Sequence, residues 1–142
     1  MPDPVKDACE ACFAAHENDC SGFARAVAAR LGVTLAGLAN EIVDTIGDSA
    51  EWTVLADGVE AERNAAAGKL VIGGLRGDEQ AHPDEHGHVV VIVAGLPLAH
   101  GQCPFAYWGR LGVGGRKDTT INFAWREVDR DNVTYAAHAL AG

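Results

Sequence analysis

Apolar residues recur at helical spacing through the first half of the chain and then condense into short unbroken runs. Val5, Ala8, Cys12 and Ala15 mark one face of a helix reaching about His16, with Asp3 before Pro4 at its start. Asn18-Asp19 interrupts that face. Phe23, Val27, Ala28 and Leu31 resume it as far as Gly32, so a second helix opens at Cys20 or Ser21. Leu38, Ile42, Val43 and Ile46 predict a third, ended by Gly47-Asp48. After a short extended piece at 52–55, the Ala-, Glu- and Arg-rich stretch 57–67 predicts a fourth, with Asp57 as cap and Gly68 as stop.

Beyond Gly68 the helical spacing disappears. Residues 69–75 and 88–94 are dominated by Val, Ile and Leu and are too short for ordinary helices, which predicts buried strands joined by the polar loop 76–87. Stretches 104–111 and 119–125 read as further strands around a turn at Gly112 to Gly115. Asp129-Arg130-Asp131-Asn132 reads as a turn before a final strand within 133–140. Helices first and consecutive strands afterwards is the order of an α+β domain, its N-terminal helices packed on an antiparallel sheet. No repeat or linker divides it, so residues 1–142 are expected to form one domain.

Composition narrows the functions such a domain can have. Hydrophobic residues make up 48% of the chain and charged residues 22%, as in globular proteins. Eleven Lys and Arg stand against 20 Asp and Glu, and the formal net charge of -9 would repel a phosphate backbone, so nucleic acid is not an expected partner. No apolar run is long enough to span a bilayer. The opening Met-Pro-Asp-Pro-Val-Lys-Asp lacks the basic and apolar regions of a secretory signal, so work outside the cytosol would require another route.

The sharpest candidate chemistry is Asn18-Asp19-Cys20-Ser21-Gly22-Phe23, which puts a thiol on the first turn of a predicted helix. Free N–H groups and the positive end of the helix dipole favour thiolate there, and the N–H groups of Cys20 or Ser21 can hold an oxyanion. Gly22 leaves room for a substrate backbone. A lone cysteine at a helix start is more often buried and inert, so a second element is required. Gly87-His88 followed by Val89-Val90-Val91-Ile92-Val93 supplies it, since a histidine opening an apolar strand is held rigidly at the edge of the sheet. A helix-borne cysteine facing a strand-borne histidine is the arrangement of a thiol acyl-transfer enzyme, with His88 as base and Cys20 as nucleophile.

These residues resemble the NlpC-like branch of the papain-like cysteine peptidases of the bacterial cell wall, and more narrowly the type VI secretion amidase effectors, family 1. The likeness rests on Asn18-Asp19-Cys20-Ser21-Gly22-Phe23, Val27-Ala28-Ala29, Leu31-Gly32-Val33, Gly68-Lys69-Leu70-Val71-Ile72, Gly87-His88-Val89-Val90-Val91 and Asp129-Arg130-Asp131, in family order across roughly residues 9–141. It implies a papain-like fold and hydrolysis of the D-glutamyl to meso-diaminopimelate bond in the peptidoglycan stem peptide, without a cofactor or metal. It also implies delivery by the secretion machinery into a rival cell's periplasm, and a cognate immunity protein that occludes the active-site cleft. A toxin of this kind is expected to be a monomer.

One position departs from the family. The residue that orients the imidazole is expected on the next strand just before a glycine, and here Trp108 precedes Gly109. An indole N–H donates but cannot accept a proton from histidine. His100 or Gln102 from the preceding loop, or a backbone carbonyl, are the substitutes weighed for this third role, with a Cys-His dyad as the remaining form.

Other signals carry less. Cys9-Glu10-Ala11-Cys12 has CxxC spacing but neither a preceding redox βαβ strand nor a second ligand pair, so packing or an incidental disulfide is the expected role. A Cys9–Cys103 pairing is the disulfide considered for an oxidising periplasm. His82, Asp84, Glu85, His86 and His88 could suggest zinc, although such short-range clusters are more often solvated loops. Trp52, Trp108 and Trp125 are expected in the sheet and core, with Trp108 near the cleft. A thiol deamidase or acyltransferase on the same fold, or a catalytically silent binding module, are the rival functions.

Overall fold

The computed structural model describes residues 3–141. Three helices come first, α1 (Pro4–His16), α2 (Cys20–Arg30) and α3 (Ala39–Asp48), followed by a short strand β1 (Thr53–Leu55) and α4 (Gly58–Ala66). Strands β2 (Leu70–Leu75), β3 (His88–Val93), β4 (Phe105–Trp108) and β5 (Arg116–Thr120) follow, then a one-turn helix α5 (Glu127–Arg130) and β6 (Thr134–His138). Capping sets the helix starts. Asp3, Asp19 and Asp57 each accept a backbone N–H from the first turn of α1, α2 and α4.

The six strands form one antiparallel sheet in the order β1-β6-β2-β3-β4-β5. Both faces are covered, which is why β2 and β3 read as unbroken apolar runs instead of alternating ones. Leu70, Ile72, Val89, Val91 and Tyr107 pack against Phe23, Val27, Ile42 and Ile46 of the N-terminal helices. On the other face Val71, Val90, Ile92 and Trp108 meet Ala61 and Ala65 of α4 together with Ile121 and Trp125. This is the α+β arrangement of helices on an antiparallel sheet expected from the element order. Among the described residues no helix is long and apolar enough to cross a membrane.

Two expected elements differ. The strand expected at 119–125 lies earlier, at Arg116–Thr120, and Ile121–Phe123 forms a 3-10 turn. Ile121, Phe123 and Trp125 imitate strand alternation, yet the buried set is Ile121, Ala124 and Trp125 while Phe123 is exposed. The charged Arg116-Lys117-Asp118 is an edge strand, where charge discourages pairing with another chain. The expected turn at Asp129-Arg130 belongs to α5, and both residues hold neighbouring loops: buried Asp129 accepts the Ala81 N–H at 2.8 Å, and Arg130 donates to the carbonyls of Trp125 and Asn122.

Candidate active site

Cys20 is the first residue of α2, and the local sequence accounts for its placement. The Asp19 side chain accepts the Gly22 N–H at 3.0 Å and the Ser21 hydroxyl at 3.1 Å, while the Asp19 carbonyl accepts the Phe23 N–H. The Gly22 hydrogen bond, helped by that of Ser21, holds the Asp19 carboxyl below the usual carboxylate range. Gly22 serves the cap and not a substrate backbone: it is buried, and a methyl there would stand 2.3 Å from an Asp19 carboxylate oxygen. With Gly22 and Phe23 occupied, the N–H groups of Cys20 and Ser21 are left without a backbone acceptor in the first turn.

The turn between α1 and α2 is clamped onto the end of β4. The Arg110 N–H donates to the Glu17 carbonyl at 2.9 Å, and the Asp19 N–H to that of His16. Gly109 makes the approach feasible, because a methyl on it would lie 2.2 Å from the His16 carbonyl oxygen and 2.6 Å from that of Asp19. The backbone N–H groups of Val89, next to His88, and of Ser21 favour the ionised form of the Cys20 thiol. The start of α2 thus comes up to the start of β3, but the two side chains diverge. Cys20 packs against the cluster on the helix side of the sheet, His88 meets Trp108 and Trp125 of the cluster on the other face, and no hydrogen bond among the described residues joins the Cys20 sulfur to the His88 ring.

Burial dominates the electrostatics. It pushes the Cys20 thiol up, and the opposing pull of Val89 N–H, Ser21 N–H and the Arg110 charge does not reverse it. The partial burial of the thiol thus works against the thiolate expected from the helix start alone. His88 is buried, and burial with the Arg110 charge lowers its imidazole to about 3. Burial thus favours the neutral thiol at Cys20 and the neutral imidazole at His88. Alkylation of Cys20 by iodoacetamide, followed by peptide mass mapping, is accordingly expected to keep accelerating beyond pH 9, the ordinary thiol value. A rate that levels off below pH 7 would show a resting thiolate instead.

The third position is occupied as the sequence indicated, with a consequence for His88. Trp108 is buried, its ring centroid 6.4 Å from that of His88, and Trp125 lies at 5.4 Å on the same face, both edge-on. His88 Nε2 is buried without a hydrogen-bond partner, and so is Trp125 Nε1. Aromatic edges, not an oxygen acceptor, hold the imidazole. His100 lies in an exposed turn at positive φ, and no hydrogen bond or ring contact among the described residues joins it to His88. Trp125 and Arg110 were not expected at the site. Trp125 reads as core in any sequence, and Arg110 is marked only by following the Trp108-Gly109 pair.

All four cysteines are free thiols. Cys9 and Cys103 are buried in the clusters on opposite faces of the sheet, which separates the pair considered for a disulfide.

No protein-family model matches the chain. It is similar to the peptidoglycan amidase Tse1 of Pseudomonas aeruginosa, at 38% identity over 130 residues, covering 89% of this chain and 79% of Tse1.

Proposed function

Because the chain belongs to the family of the peptidoglycan amidase Tse1, with the NlpC-like, papain-like fold its sequence resemblance implied, we propose that it hydrolyses the D-glutamyl to meso-diaminopimelate bond of the stem peptide. What supports this reading is the 38% identity to Tse1 together with Cys20 as the first residue of α2 and His88 as the first residue of β3, two elements that pack on one another.

In the proposed reaction neutral His88 takes the thiol proton as Cys20 Sγ attacks the amide carbon. The negative charge on the carbonyl oxygen falls to the N–H groups of Cys20 and Ser21. His88 then gives its proton to the leaving amine, and water, deprotonated by the same imidazole, releases the acyl group from sulfur. Trp108 and Trp125 fix the ring by packing, so the reaction runs on a dyad. The chain would act as one amidase domain over residues 1–142. It would work as a monomeric type VI effector in the target-cell periplasm, neutralised in the producing cell by an immunity protein over the cleft.

Mass spectrometry of purified sacculi after digestion tests the bond directly. The expected products are a disaccharide-linked fragment ending in D-glutamate and peptides with a new diaminopimelate amine. Iodoacetamide should abolish their release and a metal chelator should not. Release from another bond, or products carrying a new acyl acceptor in place of water, would replace this assignment.

A further inference from the structure

A cleft of about 340 Å³ has Trp108, the neighbour of His88, in its wall, together with Arg110, Val113, Arg116 and Phe123. Its walls carry two guanidinium groups and no acidic side chain, in a chain whose formal net charge is -9. Among the described residues neither arginine forms a salt bridge. One Arg110 nitrogen donates to the Ala124 carbonyl at 2.9 Å, and Arg116 stacks 5.2 Å above the centre of the Phe123 ring. Both are steered by neutral partners, which leave charge and donors for something else.

Register relates this cleft to the reacting groups. Trp108 pairs directly with Arg116 across β4 and β5, so the two side chains share the sheet face on which Trp108 meets His88. Arg110 lies two residues beyond Trp108, and its charge is felt at both Cys20 and His88. The cleft therefore shares Trp108 with the surroundings of His88.

We propose that Arg110 and Arg116 form a carboxylate-binding subsite that selects the substrate by a free carboxylate flanking the scissile amide. This rests on the stem-peptide reading above. A γ-linked glutamyl residue keeps its own α-carboxylate, and diaminopimelate keeps one at its far stereocentre, so the substrate presents an anion on each side of the bond. A guanidinium binds such a group through two parallel N–H donors, whereas an amide in its place returns one acceptor and an ill-placed donor. The exposed position of Arg116 suits it to substrate binding, while the Arg110 charge also acts at Cys20 and His88.

Steady-state kinetics on three synthetic stem tetrapeptides tests this: the free peptide, one amidated at the glutamyl α-carboxyl, and one amidated at the diaminopimelate carboxyl. The wild-type chain is expected to lose about tenfold in kcat/KM, mostly through KM, on one of the amidated peptides, which identifies the carboxylate bound. Arg116→Gln should lose a similar factor on the free peptide and nothing further on that amidated one, while Arg116→Lys should keep part of the preference. Equal turnover of all three peptides by the wild-type chain, or a uniform loss in Arg116→Gln, would overturn the subsite and leave the amidase reading intact. If the folded wild-type chain cleaves none of them, the amidase reading falls and the subsite falls with it.

Discussion

Cys20→Ala is expected to lower the digestion of sacculi by at least about a thousandfold, with little change in folding. The sulfur is the atom proposed to form the acyl intermediate, and effects of removing one member of a nucleophile-base pair are of this order or larger. Loss of one partly buried thiol should cost about 1 kcal/mol of stability. His88→Leu is expected to be equally inactive, and Cys20→Ala combined with His88→Leu to be no worse than either alone, since the pair acts as a unit. A Cys20→Ala protein that still digests sacculi would remove the sulfur from the reaction.

The histidine variant carries a second, opposite signature. His88 Nε2 is buried without a partner, and an orphaned polar atom is destabilising, so a leucine in that apolar pocket should leave the fold at least as stable in urea at neutral pH. The pH dependence should change as well. The folded imidazole stands near 3, against an ordinary value of 6.5, so between these values the unfolded chain binds the proton and the folded chain does not. Stability is then fully present above pH 6.5 and declines as pH falls through that window. His88→Leu should decline less there, and an unchanged acid profile would mean that His88 is not buried neutral.

Gly109→Ala is the second large effect expected. A methyl there would stand within 2.2 Å of the His16 carbonyl oxygen and 2.6 Å of that of Asp19, and both obstacles are backbone. The turn that presents Cys20 must therefore lift off β4. Overpacking of this kind costs roughly 1–3 kcal/mol. The larger consequence is for the reaction, because a displacement of about 1 Å between reacting groups can remove about a hundredfold in rate. Measured on the stem tetrapeptide, kcat should fall by about that factor while the protein remains folded by circular dichroism. Wild-type kcat in Gly109→Ala would show that the turn does not position the sulfur.

The helices were legible because each is bounded by residues whose chemistry is local. Asp3, Asp19 and Asp57 cap the helices they precede, and Gly32 and Gly68 take up positive φ just past the ends of two of them. The strands β2 and β3 were legible because unbroken runs with no polar residue inside them, set between polar loops, need burial on both sides. The edge strand β5 was not. Its charged residues face water on an exposed rim, and their extended shape comes from pairing with β4, which lies outside the window of any local pattern.

By itself, then, the order of residues determined the α+β layering, the cap that holds a cysteine at the start of α2, and the histidine that opens β3, since each follows from contacts spanning a few positions. Tertiary structure alone decided how far the Cys20 thiol and the His88 imidazole are buried, which raises the one and lowers the other. It also decided that Trp108 and Trp125 lie edge-on beside the imidazole, and that Arg110 and Arg116 stand together in one cleft. Desolvation and long-range charge depend on what lies across space, and adjacency in the chain does not encode them.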